Sequence, residues 1–135
     1  VAMGYCLEHF LPLLSRGAQL GLMSSSATYL PFPRAEAYGS SKAAIGYLGR
    51  SLRVDLAQHG IGVSVICPGF VKTPLTAKND FAMPMQITAK QAAEAIYNGM
   101  QRQRREIHFP TKFTWLLKLA SLLPEKLLVF LLAPK

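Results

Sequence analysis

The stretch Ile61-Gly62-Val63-Ser64-Val65-Ile66-Cys67 constrains this chain most, because it is β-branched and almost without polar breaks. Such residues favour the extended backbone. A strand that is apolar on both faces, instead of alternating, has to be covered on both sides, and helices flanking a sheet do that. An α/β fold is therefore expected. A second buried strand is expected over Ala18 to Ser24. Between the two lies a long Ala-rich segment, residues 35 to 59, which reads as the longest helix. It offers Ala37, Ala44, Tyr47, Leu48, Leu52 and Leu56 for packing and is stopped by Gly60 and Gly62.

The segment Tyr38-Gly39-Ser40-Ser41-Lys42 lies on that helix, and a tyrosine and a lysine four apart share one helical face. A phenol ordinarily ionises near pH 10 and is a poor acid/base at neutrality, but an ammonium beside it favours the phenolate. Thirteen residues before the tyrosine, at the end of the first strand, stands Ser25 within Ser24-Ser25-Ser26-Ala27. A hydroxyl brought to the same point could hold a carbonyl oxygen while a hydride reaches its carbon. The Tyr-x-x-x-Lys spacing alone is weak, and an exposed helix face bearing both residues accounts for it equally well.

The order of the surrounding segments adds specificity. A serine-bearing strand end is followed by Tyr38-x-x-x-Lys42, and then by a strand closing in Pro68-Gly69-Phe70-Val71-Lys72-Thr73. From Gly4 to about Thr76 this order resembles the short-chain dehydrogenase/reductase family. The resemblance implies the C-terminal half of a Rossmann-type doubly wound parallel sheet, about three strands with flanking helices. It also implies NAD or NADP as cofactor and a small carbonyl/secondary-alcohol pair as substrate. By the family pattern Tyr38 donates the proton in reduction and accepts it in oxidation. Lys42 lowers the tyrosine pKa and bonds the nicotinamide ribose, and Ser25 polarises the carbonyl. Ser25 is preferred to Ser24 and Ser26, which would cap or pad the strand end. Pro68 and Gly69 match residues that let the backbone approach the nicotinamide, while Val71 (through its backbone) and Thr73 match those that hold the carboxamide. An ordinary turn accounts for Pro68-Gly69 alone.

The resemblance also bears on what is missing. No Gly-x-x-x-Gly-x-Gly or Gly-x-Gly-x-x-Gly turn for a cofactor pyrophosphate occurs in the 135 residues, nor does Asn-Asn-Ala-Gly. The first residue is Val1, and the first four strands of such a sheet are expected to be absent, leaving a fragment that is inactive by itself. The strand over 18 to 24 would then lack one neighbour and be exposed along one side. The asparagine that organises a proton relay in many members would fall at Val1 or before it. Residues 1 to 15, a helix with Pro12 as a kink or early end, and residues 35 to 59 match the helices that often pair subunits, so a homo-oligomer is expected. A truncated, non-catalytic oligomerising module is the rival reading.

Beyond Pro68 the chain is irregular, with Pro74, Asn79-Asp80 and Pro84 as breakers. Phe70, Leu75, Phe81, Met83 and Met85 make this loop apolar. Thr88 with Gln91 forms a capping-box pattern at the head of a helix running to about Gln103, and Glu106 to Phe109 suits a last short strand. Residues 1 to 111 thus form the partial nucleotide-binding domain, and 112 to 135 an amphipathic helical tail. Lys118, Pro124, Glu125 and Lys126 interrupt the leucines of that tail, which falls short of the apolar run a bilayer crossing needs. Thr114, Lys118, Ser121 and Glu125 recur at helical spacing. Two short helices broken at Pro124 would cover the core or a subunit boundary, or lie on a membrane surface as in a lipid- or retinoid-type reductase.

The net charge of +8 is uneven, with seven of the 15 basic but two of the seven acidic side chains beyond residue 100. No aromatic interleaving accompanies Arg102, Arg104 and Arg105, so a solvated helix end is preferred to nucleic-acid binding. His9, His59 and His108 lack metal-ligand spacing, and no Gly-x-Ser-x-Gly elbow supports a hydrolase. Cys6 and Cys67 read as packing residues in a reducing, cytoplasmic setting, with peripheral membrane contact through the tail as the variant.

Overall fold

The computed structural model describes residues 2–74, 76–78 and 83–133. Its centre is a three-stranded parallel sheet in the order β1-β2-β5, formed by β1 (Gln19–Met23), β2 (Gly62–Pro68) and β5 (Glu106–Phe109). Register runs from Gln19 opposite Gly62 to Met23 opposite Ile66, and from Val65 opposite Glu106 to Pro68 opposite Phe109. The expected strand thus extends to Pro68. It sits between two partners, as its two-sided apolar character requires. β1 lies at the sheet's edge with β2 as its neighbour among the described residues, the exposed position the sequence led us to expect.

The alternation of side chains along β2 divides the core. Val63, with Leu22 of β1, packs against Leu7 of α1 (Ala2–Phe10) and against Ile45, Leu48, Leu52 and Leu56 of α2 (Glu36–Ala57). Ile66, with Ile107 and Phe109 of β5, packs against Ala92, Ile96 and Met100 of α3 (Ala89–Gln101). Helices therefore cover both faces. Two glycines make this close: a β-carbon on Gly49 of α2 would meet Val65 Cγ2 at 2.6 Å, and one on Gly99 of α3 would meet Ile107 Cδ1 at 2.6 Å. Neither helix could keep its distance to the sheet with a larger residue there.

Differences from the sequence expectation are local. The first helix ends at Phe10 and passes into a 3₁₀ turn over Leu11–Leu13, because Pro12 cannot continue the α-helical ladder. The irregular segment contains two short parallel strands, β3 (Val71–Lys72) and β4 (Ile87–Thr88), paired Val71 to Ile87. Leu75, Phe81 and Asn79-Asp80 of the expected apolar loop lie outside the described residues, as does Val1. The capping box at Thr88 forms as expected, with the Thr88 hydroxyl accepting from Gln91 N–H while the Gln91 side chain accepts from Thr88 N–H.

The tail forms α4 (Thr111–Ala120) and α5 (Glu125–Leu132), broken at Pro124. Its polar stripe, however, is turned partly inward. Thr114 is 0% exposed, and Lys118 reaches Glu106 of β5 at 2.8 Å. Phe113 and Leu117 pack with Leu30, whereas Trp115, Leu116, Leu119 and Leu122 stand exposed. No described helix is long and apolar enough to cross a membrane.

Candidate active site

Parallel strands direct their carboxyl ends to one edge, and two of the candidate segments follow directly from β1 and β2 there. Ser24 continues the pairing of β1 by donating its N–H to Ile66 O at 2.8 Å. Ser25 follows in extended conformation and heads a 3₁₀ turn over Ser26–Thr28, its hydroxyl accepting from Ala27 N–H at 3.1 Å. Capping, expected of Ser24 and Ser26, therefore falls to Ser25. With its oxygen already accepting, the Ser25 hydroxyl keeps its own hydrogen to donate outward. The Ser24 hydroxyl instead donates to Lys42 O at 2.8 Å and ties α2 to the end of β1.

That tie sets the position of the Tyr38/Lys42 face. Lys42 Nζ donates to Met23 O at 3.3 Å and stands 5.8 Å from the centre of the Tyr38 ring. The lysine thus bridges the last residue of the serine strand and the tyrosine one helical turn away. Tyr38 is 52% exposed, and no hydrogen bond joins it to Ser25 among the described residues.

Pro68 closes β2, and Gly69 donates to Phe109 O at 2.7 Å. A β-carbon on Gly69 would lie 3.1 Å from both Phe109 O and Pro110 Cδ and 3.2 Å from Phe113. The glycine therefore has a packing reason of its own: it lets the end of β5 and α4 close onto β2. Val71 lies in β3, and its carbonyl accepts from the Thr76 hydroxyl at 2.7 Å. Thr73 Oγ1 accepts from Thr76 N–H at 3.1 Å, holding the turn over Thr76–Lys78. Val71 and Thr73 are thus built into one small loop just past β2, apart from the bonds that join Ser24 and Met23 to Lys42.

A cluster that sequence reasoning missed couples the tail to this edge. Tyr29, just past the serine turn, donates its hydroxyl to Glu106, whose carboxylate also pairs with Lys118 of α4. Lys118 Nζ lies 5.1 Å from the Tyr29 ring centre and 5.4 Å from that of Trp115. Beside it His108 Nδ1 is 2.6 Å from Thr114 Oγ1, and the His108 ring meets Trp115 edge-on. Tyr29 and Glu106 are 77 positions apart, so no local pattern could have joined them.

These charges give the tail a pH dependence. Burial, helped by the Lys118 charge, holds His108 below its ordinary 6.5. Burial pushes the Glu106 carboxyl up, but its bonds to Lys118 and Tyr29 outweigh this and leave it below 4.5. Both folded values are depressed, so the stabilisation is complete above the unfolded values and is lost as pH falls. The urea midpoint should drop through His108 as pH falls below the ordinary histidine value of about 6.5, and again in the carboxylate range. Trp115, the one tryptophan, reports α4 during the titration. A His108→Gln chain should lose the upper step and retain the lower; an unchanged upper step would place that titration elsewhere.

Residues 2–84 match the short chain dehydrogenase family. The chain belongs to that family. An uncharacterized oxidoreductase of Myxococcus xanthus is 38% identical over 112 residues, which is 83% of this chain and 44% of that protein. An 11-beta-hydroxysteroid dehydrogenase A of Arachis hypogaea is 30% identical across 96% of this chain and 42% of its own length. Among solved structures, a short chain dehydrogenase from Burkholderia cenocepacia in complex with NADP superposes with a TM-score of 0.80. It is 19% identical, with 95% of this chain and 54% of that one covered, and the likeness is one of fold. The family member described here thus spans under half the length of the two relatives named, and its three parallel strands with flanking helices are the family's α/β architecture.

Proposed function

We propose that this chain is the catalytic and substrate-side half of an NAD(P)-dependent oxidoreductase that interconverts a carbonyl and a secondary alcohol. The observation that carries the reading is the bridge made by Lys42, from Met23 O at the end of the serine strand to the face of Tyr38. In this reading Ser25 donates its free hydrogen to the carbonyl oxygen, and Tyr38 delivers the proton that the developing alkoxide takes up. Lys42 supports the charge that forms on the phenol.

The donor set at this edge suits the nicotinamide end of NAD or NADP: Tyr38 and Lys42 for the ribose, and Pro68, Gly69, Val71 and Thr73 for the ring and its carboxamide. When bound, the nicotinamide supplies the hydride. Several of the similar structures are complexes with NADP, NADPH or NADH. The pyrophosphate finds no Gly-rich turn in these 135 residues, so the chain by itself should not turn over. Fusing the N-terminal half of the Myxococcus xanthus relative to this chain and following NAD(P)H oxidation with a ketone panel tests the reading. Hydride transfer by the fusion, and none by the chain alone, is expected. A folded fusion that binds NADP yet reduces nothing would overturn it.

A specific observation favours self-association in addition. Tyr5, Phe10 and Leu13 on or next to α1, and Tyr47 and Val54 on α2, stand exposed. Exposed apolar side chains of this size suit a partner surface where they adjoin, and a second copy of the same helices would cover these. The tail supports a further reading, contact with a membrane surface, because Trp115, Leu116, Leu119 and Leu122 of the α4 segment and Val129, Phe130 and Leu131 of α5 present apolar groups beside the basic excess. Flotation with anionic liposomes should carry the full chain but not one ending at residue 111. Equal behaviour of the two would end the membrane reading.

A further inference from the structure

Beside Ser25 opens a cleft of about 460 Å³. Its walls are Phe32, Phe70, Pro84, Phe113 and Leu117, and Ala27 and Ala35 line it as well. The polar side chains at its rim are the hydroxyls of Ser25 and Ser26, and both residues are buried. Phe70 and Phe113 meet with ring centres 5.9 Å apart, tilted by 40°, so two aromatic faces converge on one side. Phe113 and Leu117 sit one turn apart on α4, and the wall they form is held by Lys118 on Glu106 and by the buried Thr114.

The chemistry of this lining is selective. A carbon skeleton placed here leaves water for aromatic and aliphatic contact, and is favoured in proportion to the area it buries. A hydroxyl placed here loses its water and, among the described lining residues, meets no polar side chain beyond the serine edge. Each such group lowers affinity on the order of tenfold or more. A polyhydroxylated ligand would incur that loss several times over. The size of the cleft falls in the range of sites that enclose a whole small molecule, about 300–1,000 Å³.

We infer that this cleft seats the body of a bulky, apolar monoketone or its secondary alcohol, with the single oxygen at Ser25 and the carbon skeleton between Phe70, Phe113 and Leu117, and that it rejects polyols and charged carbonyl compounds. The identity of the reacting oxygen rests on the oxidoreductase reading above, whereas the preference for an apolar body rests on the lining alone.

Binding to the 135-residue chain tests it without turnover. The probes are trans-1-decalone, a fused-ring monoketone, and fructose, a polyhydroxy ketone, followed by saturation-transfer NMR and calorimetry. Decalone should saturate, and fructose should show at least about a hundredfold weaker binding. Ala35→Leu adds carbon to the cleft and deletes no core contact. It should weaken decalone about tenfold or more with circular dichroism unchanged. Leu117→Gln should do the same, and should it loosen α4, the Ala35 variant still decides. Fructose binding as tightly as decalone, or decalone binding indifferent to Ala35→Leu, overturns the inference. Decalone seated in this way, in a chain whose fusion transfers hydride to no carbonyl, would sustain the cleft assignment and sink the oxidoreductase reading. A fusion that reduces fructose as efficiently as decalone would do the reverse.

Discussion

Ketone reduction by the fused enzyme should fall by about 10²–10⁴-fold when Tyr38 becomes Phe, the range expected for loss of a positioned proton donor. The ring stays, so the packing of α2 and the 5.8 Å approach of Lys42 to the ring should survive; the hydroxyl alone is removed. Loss should therefore appear chiefly in kcat, with cofactor binding largely kept and lowered only by the one bond the hydroxyl would make to the ribose. Lys42→Ala is expected to act differently. Its ammonium bridges Met23 O and Tyr38 and, on the proposed reading, also meets the ribose, so both turnover and cofactor binding should suffer. Full activity in the Tyr38→Phe enzyme would remove the proposed mechanism. Loss of cofactor binding as deep as the loss of activity, far beyond what one hydrogen bond supplies, would point to a disturbed fold instead.

The second large effect is on stability. Leu22 is 1% exposed and lies in β1 against Leu7 of α1 and Val63 of β2. Leu22→Ala should lower unfolding free energy by about 2–5 kcal/mol, the cost of lost burial plus a residual cavity. A whole domain is stable by about 5–15 kcal/mol, so this is a large share. The consequence reaches the candidate site, because the same strand leads into Ser24 and Ser25, and Ser24 holds Lys42 O. Urea denaturation should show a lower midpoint with an unchanged slope. A loss well under 1 kcal/mol would mean that the α1/α2 face is not a tightly packed core.

How legible all this was depends on the distance over which each feature is decided. The strands at 19–23, 62–68 and 106–109 and the helix carrying Tyr38 were readable from runs of a few residues. Pro12 announced the end of α1, and Thr88 with Gln91 announced the start of α3. The two-residue strands β3 and β4 were not readable, since a pair that short carries no periodicity. The division of labour among the three serines was also hidden. Which hydroxyl caps and which ties a helix depends on the rotation of the chain at the end of β1, not on residue type.

The amino-acid order by itself determined the α/β class, the order of the longer elements and the alignment of Tyr38 with Lys42 on one helical face, because each follows from local backbone preference and hydrophobic periodicity. Tertiary structure alone decided that Ser24 would fasten Lys42, that Tyr29, Glu106 and Lys118 would form one cluster, and that α4 would turn Thr114 inward and set Phe113 and Leu117 beside Ser25. Those arrangements join residues dozens of positions apart. They arise from the fit of whole surfaces against a sheet, which no short window of sequence encodes.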